Sequence, residues 1–123
     1  MSLTILIPTK NEQDVIEKTI KNIIKSKISK INHEILIVDD FSSDKTKKIL
    51  KKFKKNNKFK LFENIEPGLG SALRVGIKKS TKEYVCIFMA DESDSISDLV
   101  KYYKIISKNK YDAVFGSRFI NGS

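Results

Sequence analysis

Short apolar runs alternate with stretches whose apolar residues recur at helical spacing, beginning with the first residues of the chain. Leu3 to Ile7 predicts a strand, and Val15, Ile16, Thr19, Ile20, Ile23 and Ile24 then fall three and four apart, along one face of a helix. Glu34 to Val38 predicts a second strand. After Asp39-Asp40-Phe41-Ser42-Ser43-Asp44 comes a lysine-rich helix with Ile49, Leu50 and Phe53 as its apolar stripe and Ser43 or Asp44 as its N-cap. Phe59 to Phe62 predicts a third strand, polar enough for a sheet edge. Glu66-Pro67-Gly68-Leu69-Gly70 then breaks the chain before a helix over Ser71 to Lys79. Tyr84 to Met89 is apolar throughout and predicts a central strand. A last helix over Ile96 to Ser107, with Leu99, Val100, Tyr103 and Ile106 inward, leads to a strand at Asp112 to Phe115.

Strand and helix alternating through short connections predict a three-layer α/β/α domain with a mainly parallel sheet and right-handed crossovers. The 123 residues hold one such core, so residues 1–123 are read as a single domain. In open sheets of this class ligands bind beyond the carboxyl ends of the strands. Those ends collect the polar chemistry of the chain: Pro8-Thr9-Lys10-Asn11-Glu12, Asp39-Asp40, Ala90-Asp91-Glu92-Ser93-Asp94 and Gly116-Ser117-Arg118.

The net charge of +9 invites an anionic partner, but its distribution narrows the choice. All but two of the 24 basic residues are lysine, and only Arg74 and Arg118 carry the guanidinium fork that reads phosphates and base edges. Nine lysines against the single Asp44 lie between residues 44 and 60, so nearly all the excess belongs to one helix and its flank. That run reads as a solvated helix face, and its aromatics, Phe53 and Phe59, belong to the apolar stripe and the third strand, leaving none for stacking on bases. Nucleic acid is therefore not an expected partner. The functional reading left to the lysines is orientation toward an anionic membrane. No apolar stretch approaches a membrane span, Met1-Ser2-Leu3 leads straight into a strand, and Cys86 is alone in an apolar run. A cytoplasmic location is expected, with membrane contact peripheral, and self-association through an edge strand is left open.

Two adjacent carboxylates after a buried strand repel, so Asp39 and Asp40 need donors, a cation or a ligand's hydroxyls to hold them. Asp91, Glu92 and Asp94 suit a hard cation such as Mg2+ or Mn2+, or else form an acidic turn that caps the next helix. Arg118 on the same rim suits a diphosphate or a structural ion pair. Gly68-Leu69-Gly70-Ser71-Ala72-Leu73-Arg74-Val75-Gly76 follows the third strand and lacks the dinucleotide spacing. His33, with no second His and no Cys nearby, argues against zinc chemistry and reads as a surface or loop histidine.

Five ordered stretches together resemble a known family. They are Leu6-Ile7-Pro8-Thr9-Lys10-Asn11-Glu12, Ile37 to Thr46, Gly68 to Ile77, Met89-Ala90-Asp91-Glu92-Ser93-Asp94 and Tyr111 to Phe119. The chain resembles the donor-binding, N-terminal part of a family-two glycosyltransferase with the Rossmann-like GT-A fold, most similar to the dolichol-phosphate mannosyltransferase and polyprenyl-phosphate glycosyltransferase branch. The resemblance implies a truncated GT-A domain without the acceptor half. It also implies inverting transfer of a sugar from a nucleotide diphosphate to an acceptor such as polyprenyl phosphate. Pro8, Lys10 and Glu12 would line the nucleoside pocket, with Val38, Asp39 and Asp40 at the base and ribose. Ala90, Asp91 and Ser93 would meet the diphosphate, Asp91 would hold Mg2+ or Mn2+, and Asp91 and Arg118 would be the catalytic pair. Two positions depart from the family pattern: Met89 stands at the first acidic position of the metal motif, weakening it, and Phe41 replaces a common glycine. A non-catalytic nucleotide-sugar-binding or assembly module is the competing expectation.

Overall fold

The computed structural model describes residues 2–26 and 30–89 and the backbone of Phe119–Asn121. Its elements run β1 (Leu3–Thr9), α1 (Ile16–Lys25), β2 (His33–Asp39), α2 (Thr46–Lys54), β3 (Lys60–Glu63), α3 (Leu69–Lys79), β4 (Tyr84–Ile87) and β5 (Phe119–Asn121). The predicted helix at Ile96 to Ser107 and the strand at Asp112 to Phe115 lie outside the described residues. The sheet order is β3-β2-β1-β4-β5, with β1 to β4 parallel and β5 antiparallel to β4. The polar β3 takes the edge and the apolar β4 lies inside the sheet, as their compositions predict. The antiparallel β5 was not expected, because Phe119-Ile120-Asn121 is too short for its pattern to register as a strand.

The apolar strands bury both faces, and the two-residue period of a strand sorts each into two cores. Leu3, Ile5 and Ile7 of β1, Ile35 and Ile37 of β2 and Cys86 of β4 face one side. There they meet Ile16, Ile20 and Ile23 of α1 and Leu50 and Phe53 of α2. Leu6, Leu36, Val38, Val85 and Ile87 face the other side, against Ala72 of α3. Cys86 is fully buried, as its apolar run predicts. The close approach of α3 to the sheet is set by Gly76, where a Cβ would collide with the Leu6 side chain. The N-cap of α2 differs from expectation. It is Lys45, with no side-chain cap bond, while Asp44 stands one residue earlier and accepts the Thr46 N–H at 2.9 Å and the Thr46 hydroxyl at 2.6 Å.

At the amino end of the sheet a single carboxylate ties three strands together. Glu34 of β2 accepts the Thr4 hydroxyl of β1 at 2.6 Å, the Lys60 ammonium of β3 at 2.7 Å, and the N–H of Thr81, just before β4, at 2.7 Å. Burial pushes this carboxyl up, but the bonds from Lys60, Thr4 and Thr81 outweigh burial and hold it at about 2 instead of 4.5. A carboxyl with a depressed pKa stabilises the fold fully above its unfolded value, and that stability is lost as pH falls from 4.5 toward 2. Glu34→Gln should therefore cost about 1–2 kcal/mol at neutral pH, less than the full shift because Lys60 is half exposed and screened. Denaturant unfolding at a series of pH values should show the gap between the two proteins closing through that acid window. A gap independent of pH would show that the charge of Glu34 is not what holds the strands.

Candidate functional site

Successive strand residues face opposite ways, and this splits the two aspartates that follow Val38. Asp39 is buried and accepts the Ser42 hydroxyl at 2.7 Å and the Ser42 N–H at 3.2 Å. Asp40, also buried, turns toward α3 and accepts Asn64 Nδ2 and the Gly68 N–H on Oδ1, each at 2.9 Å. The repulsion between neighbouring carboxylates is met by separate sets of donors from the chain itself. Both of Asp40's bonds land on Oδ1, which leaves Oδ2 to the cleft that Asp40 lines.

Asn64 joins the carboxyl ends of β2 and β3 to the start of α3. Its N–H donates to the Asp39 carbonyl at 2.9 Å and its Nδ2 also donates to the Gly68 carbonyl at 3.1 Å. Its Oδ1 accepts the Ser71 hydroxyl at 2.8 Å and the Ile65 N–H at 2.9 Å. Gly68 holds φ at 124°, a conformation that requires glycine, and so presents its N–H to Asp40 at the mouth of α3. Asn64 did not stand out in the sequence. Its only signal is its place immediately after a short polar strand, ahead of the Pro-Gly break.

The β1 and β2 loops are laced together above the sheet. Asn11, at φ 51°, accepts the Ser43 N–H at 2.8 Å and the Asp44 N–H at 3.3 Å on its side-chain oxygen, and its own N–H donates to the Ser42 hydroxyl at 3.0 Å. The Glu12 N–H donates to the Thr46 hydroxyl at 2.9 Å. Desolvation raises the Asp44 carboxyl, but bonds from the Thr46 hydroxyl, the Thr46 N–H and the Gln13 N–H together prevail and hold it below the usual range. Phe41 takes the left-handed conformation at φ 53°, which accounts for a glycine being common there. Its ring is 47% exposed, so the phenylalanine is not held in place by burial.

These loops and α3 enclose a cleft of about 340 Å³ lined by Pro8, Thr9, Lys10, Glu12, Asp40, Gly68, Leu69, Ala72 and Met89. Four sequence-predicted site residues meet there: Pro8, Lys10, Glu12 and Asp40. Val38 does not face the cleft. It is fully buried in the core shared with Leu6 and Ala72, because its side chain alternates with Asp39 onto the α3 side one residue below the rim. Asp39 is likewise outside the lining, its carboxylate turned to Ser42. Ala90, Asp91, Ser93 and Arg118 lie outside the described residues. A larger cavity of about 470 Å³ opens at the amino end of the sheet between Ile24, His33, Glu34, Ile35 and Asn56 to Lys60. It has no helix N-terminus, and its carboxylate is spent on Thr4, Lys60 and Thr81.

No group of three or more His, Cys, Asp or Glu suited to a metal occurs among the described residues. Asp39 and Asp40 are both engaged by protein donors, so the described residues do not by themselves build a cation site.

A parallel sheet with its polar chemistry on the carboxyl rim and a glycine turn feeding α3 is the arrangement the sequence motifs imply, and the family model for "Glycosyl transferase family 2" matches residues 4–123. The chain belongs to glycosyl transferase family 2. It is 36% identical over 117 residues to the poly-beta-1,6-N-acetyl-D-glucosamine synthase of Staphylococcus aureus, covering 94% of this chain and 27% of that protein. Among solved structures it matches the mannosyltransferase PcManGT of Pyrobaculum calidifontis, in complex with GDP-Man and Mn2+. The TM-score is 0.77 at 27% identity, over 90% of this chain and 34% of the other. The fold of S. aureus TarS, solved with UDP-GlcNAc, matches with a TM-score of 0.76 at 23% identity, over 92% of this chain and 33% of that one. The domain has the GT-A fold, and it spans about a quarter of the length of the synthase.

Removing Asn64 should loosen the family-two rim. Asn64→Ala leaves buried Asp40 and Ser71 each short of a partner, at a cost of about 2–3 kcal/mol. Urea unfolding measures the loss, and a change below about 0.5 kcal/mol would show that Asn64 does not join β3 to α3.

Proposed function

We propose that this domain binds a nucleotide-diphosphate sugar in the carboxyl-rim cleft and serves inverting transfer of the sugar to an acceptor, a polyprenyl phosphate by resemblance of its motifs. The observation that carries the reading is the convergence of Lys10, Asp40 and the N-terminus of α3 on one cleft. Those groups match the parts of such a donor. The first N–H groups of α3 have no intrahelical partner and, with the Lys10 ammonium, complement a diphosphate. The Oδ2 of Asp40 accepts a hydrogen bond from a ribose hydroxyl or a base N–H. Leu69, Ala72 and Met89 give the cleft an apolar wall against which a ribose or base lies. Transfer requires the departing nucleoside diphosphate to be stabilised as its charge develops. Asp91 and Arg118 are assigned to that end of the site, with Ala90 and Ser93 beside the phosphates. When bound at Asp91, Mg2+ or Mn2+ supplies further neutralisation of that charge.

Met89 in the cleft, where the family's metal motif is often acidic, favours a second reading, a module that binds donor without transferring it. Sugar transfer by a chain extended past Ser123 would decide against that reading.

Calorimetric titration of the chain with UDP, GDP, UDP-GlcNAc and GDP-mannose, with and without Mn2+, tests the proposal. One nucleotide series should bind. Asp40→Asn keeps the acceptor for Asn64 and Gly68 but should weaken binding about tenfold or more, through loss of a hydrogen bond to charge. Asp91→Ala should abolish the Mn2+ dependence, and Asp98→Ala should change nothing. Equal affinity in the Asp91 and Asp98 variants would remove Asp91 from the site, and binding of no nucleotide diphosphate would overturn the assignment of the cleft.

A further inference from the structure

We propose that the exposed lysine stripe of α2 is a docking surface for an anionic lipid bilayer. Lys48, Lys51, Lys52 and Lys55 follow one another at helical spacing and are all exposed, while Thr46, Leu50 and Phe53 turn into the core. Lys45, Lys54 and Lys58 add three more exposed ammonium groups at the edges of the stripe. The ion pairs among the described residues are Lys21 with Glu17, Lys47 with Glu63 at 2.9 Å, and Lys60 with Glu34. None engages these seven lysines.

Lys51, Lys52 and Lys54 in the last turn complement the helix dipole, but the rest of the arrangement works against the helix. Lys48 and Lys52, and again Lys51 and Lys55, stand four apart, where like charges destabilise a helix. The first turn of α2 holds no acid, so the cations at its start, Lys45, Lys47 and Lys48, oppose the helix dipole. An external array of anions relieves both costs. The chemistry of the stripe fits a bilayer better than a nucleic acid. It has no guanidinium fork to grip base edges, and the aromatic rings nearest to it, Phe53 and Phe59, are buried and unable to stack. Point charges on flexible stems match mobile headgroups, each contributing through the surface potential without a fixed geometry. The stripe begins where the Asp39-to-Asp44 rim ends. The inference stands on charge and packing, and holds whether or not the cleft takes a nucleotide sugar.

Co-sedimentation of the full chain with vesicles of phosphatidylcholine alone, and with vesicles containing about a third phosphatidylglycerol, tests it. Binding should require the anionic lipid and should fall away as salt is raised to ~0.5 M. The variant carrying Lys48→Gln, Lys51→Gln and Lys55→Gln should lose about a hundredfold in partition coefficient, from three surface charges. Its unfolding should stay cooperative and its far-ultraviolet circular dichroism should match the parent's, which separates lost binding from lost folding. The matched variant Arg74→Gln, Lys78→Gln and Lys79→Gln on α3, across the sheet, should bind as the parent does. Equal binding to both vesicle types, undiminished binding by the α2 variant, or tighter binding to a double-stranded oligonucleotide than to the anionic vesicles would each overturn the proposal.

Discussion

The carboxylate of Asp40 is where the carboxyl rim is assembled. It lies one residue past β2, and its N–H donates to the Thr9 carbonyl of β1 at 2.7 Å. Its Oδ1 takes Asn64 from the end of β3 and Gly68 from the start of α3. Three strand ends and a helix therefore meet at one buried residue, β1 through its backbone N–H and β3 and α3 through its carboxylate. A buried carboxylate without donors would cost several kcal/mol, so the loops carrying those donors cannot drift apart independently. The cleft owes its shape to this constraint, and Asp40 also keeps one oxygen for whatever enters it.

A second constraint acts at the opposite end. Glu34 does for the amino ends of β1, β3 and β4 what Asp40 does for the carboxyl ends. The two carboxylates differ in what they leave over. Glu34 spends both oxygens on protein donors, whereas no described residue donates to Oδ2 of Asp40. The cavity near Glu34 is the larger of the two, yet the chemistry for a phosphorylated ligand lies at the rim.

Much of this was legible in the chain. The β1-to-β4 alternation, the edge position of β3 and the grouping of Pro8, Lys10, Glu12 and Asp40 follow from apolar periodicity and from the rule that strand ends share a rim. Other parts depend on tertiary pairing. The strand alternation that sends Asp39 to Ser42 and Asp40 to Asn64 acts over single residues, which the adjacency of two aspartates in the sequence does not reveal. Val38 was grouped with them although its side chain belongs to the core. Asn64 is polar, ordinary in its local sequence, and important only because three elements converge on it. The N-cap of α2 moved to Lys45 because Asp44 bonds back to Gln13 and forward to Thr46. The net charge of +9 describes one flank and not the site, so the domain has an acidic rim with a basic side.

On the proposed function, the rim cleft, and not the larger cavity at the amino end, is where the domain meets a nucleotide diphosphate. Amide hydrogen exchange of the chain with and without a saturating nucleotide diphosphate and Mn2+ reads this directly. Added protection is expected at Thr9 to Glu12, at Asp40 and from Asn64 to Ala72, with His33 to Ile35 and Asn56 to Lys60 unchanged. Protection confined to His33 to Ile35 and Asn56 to Lys60 would contradict it.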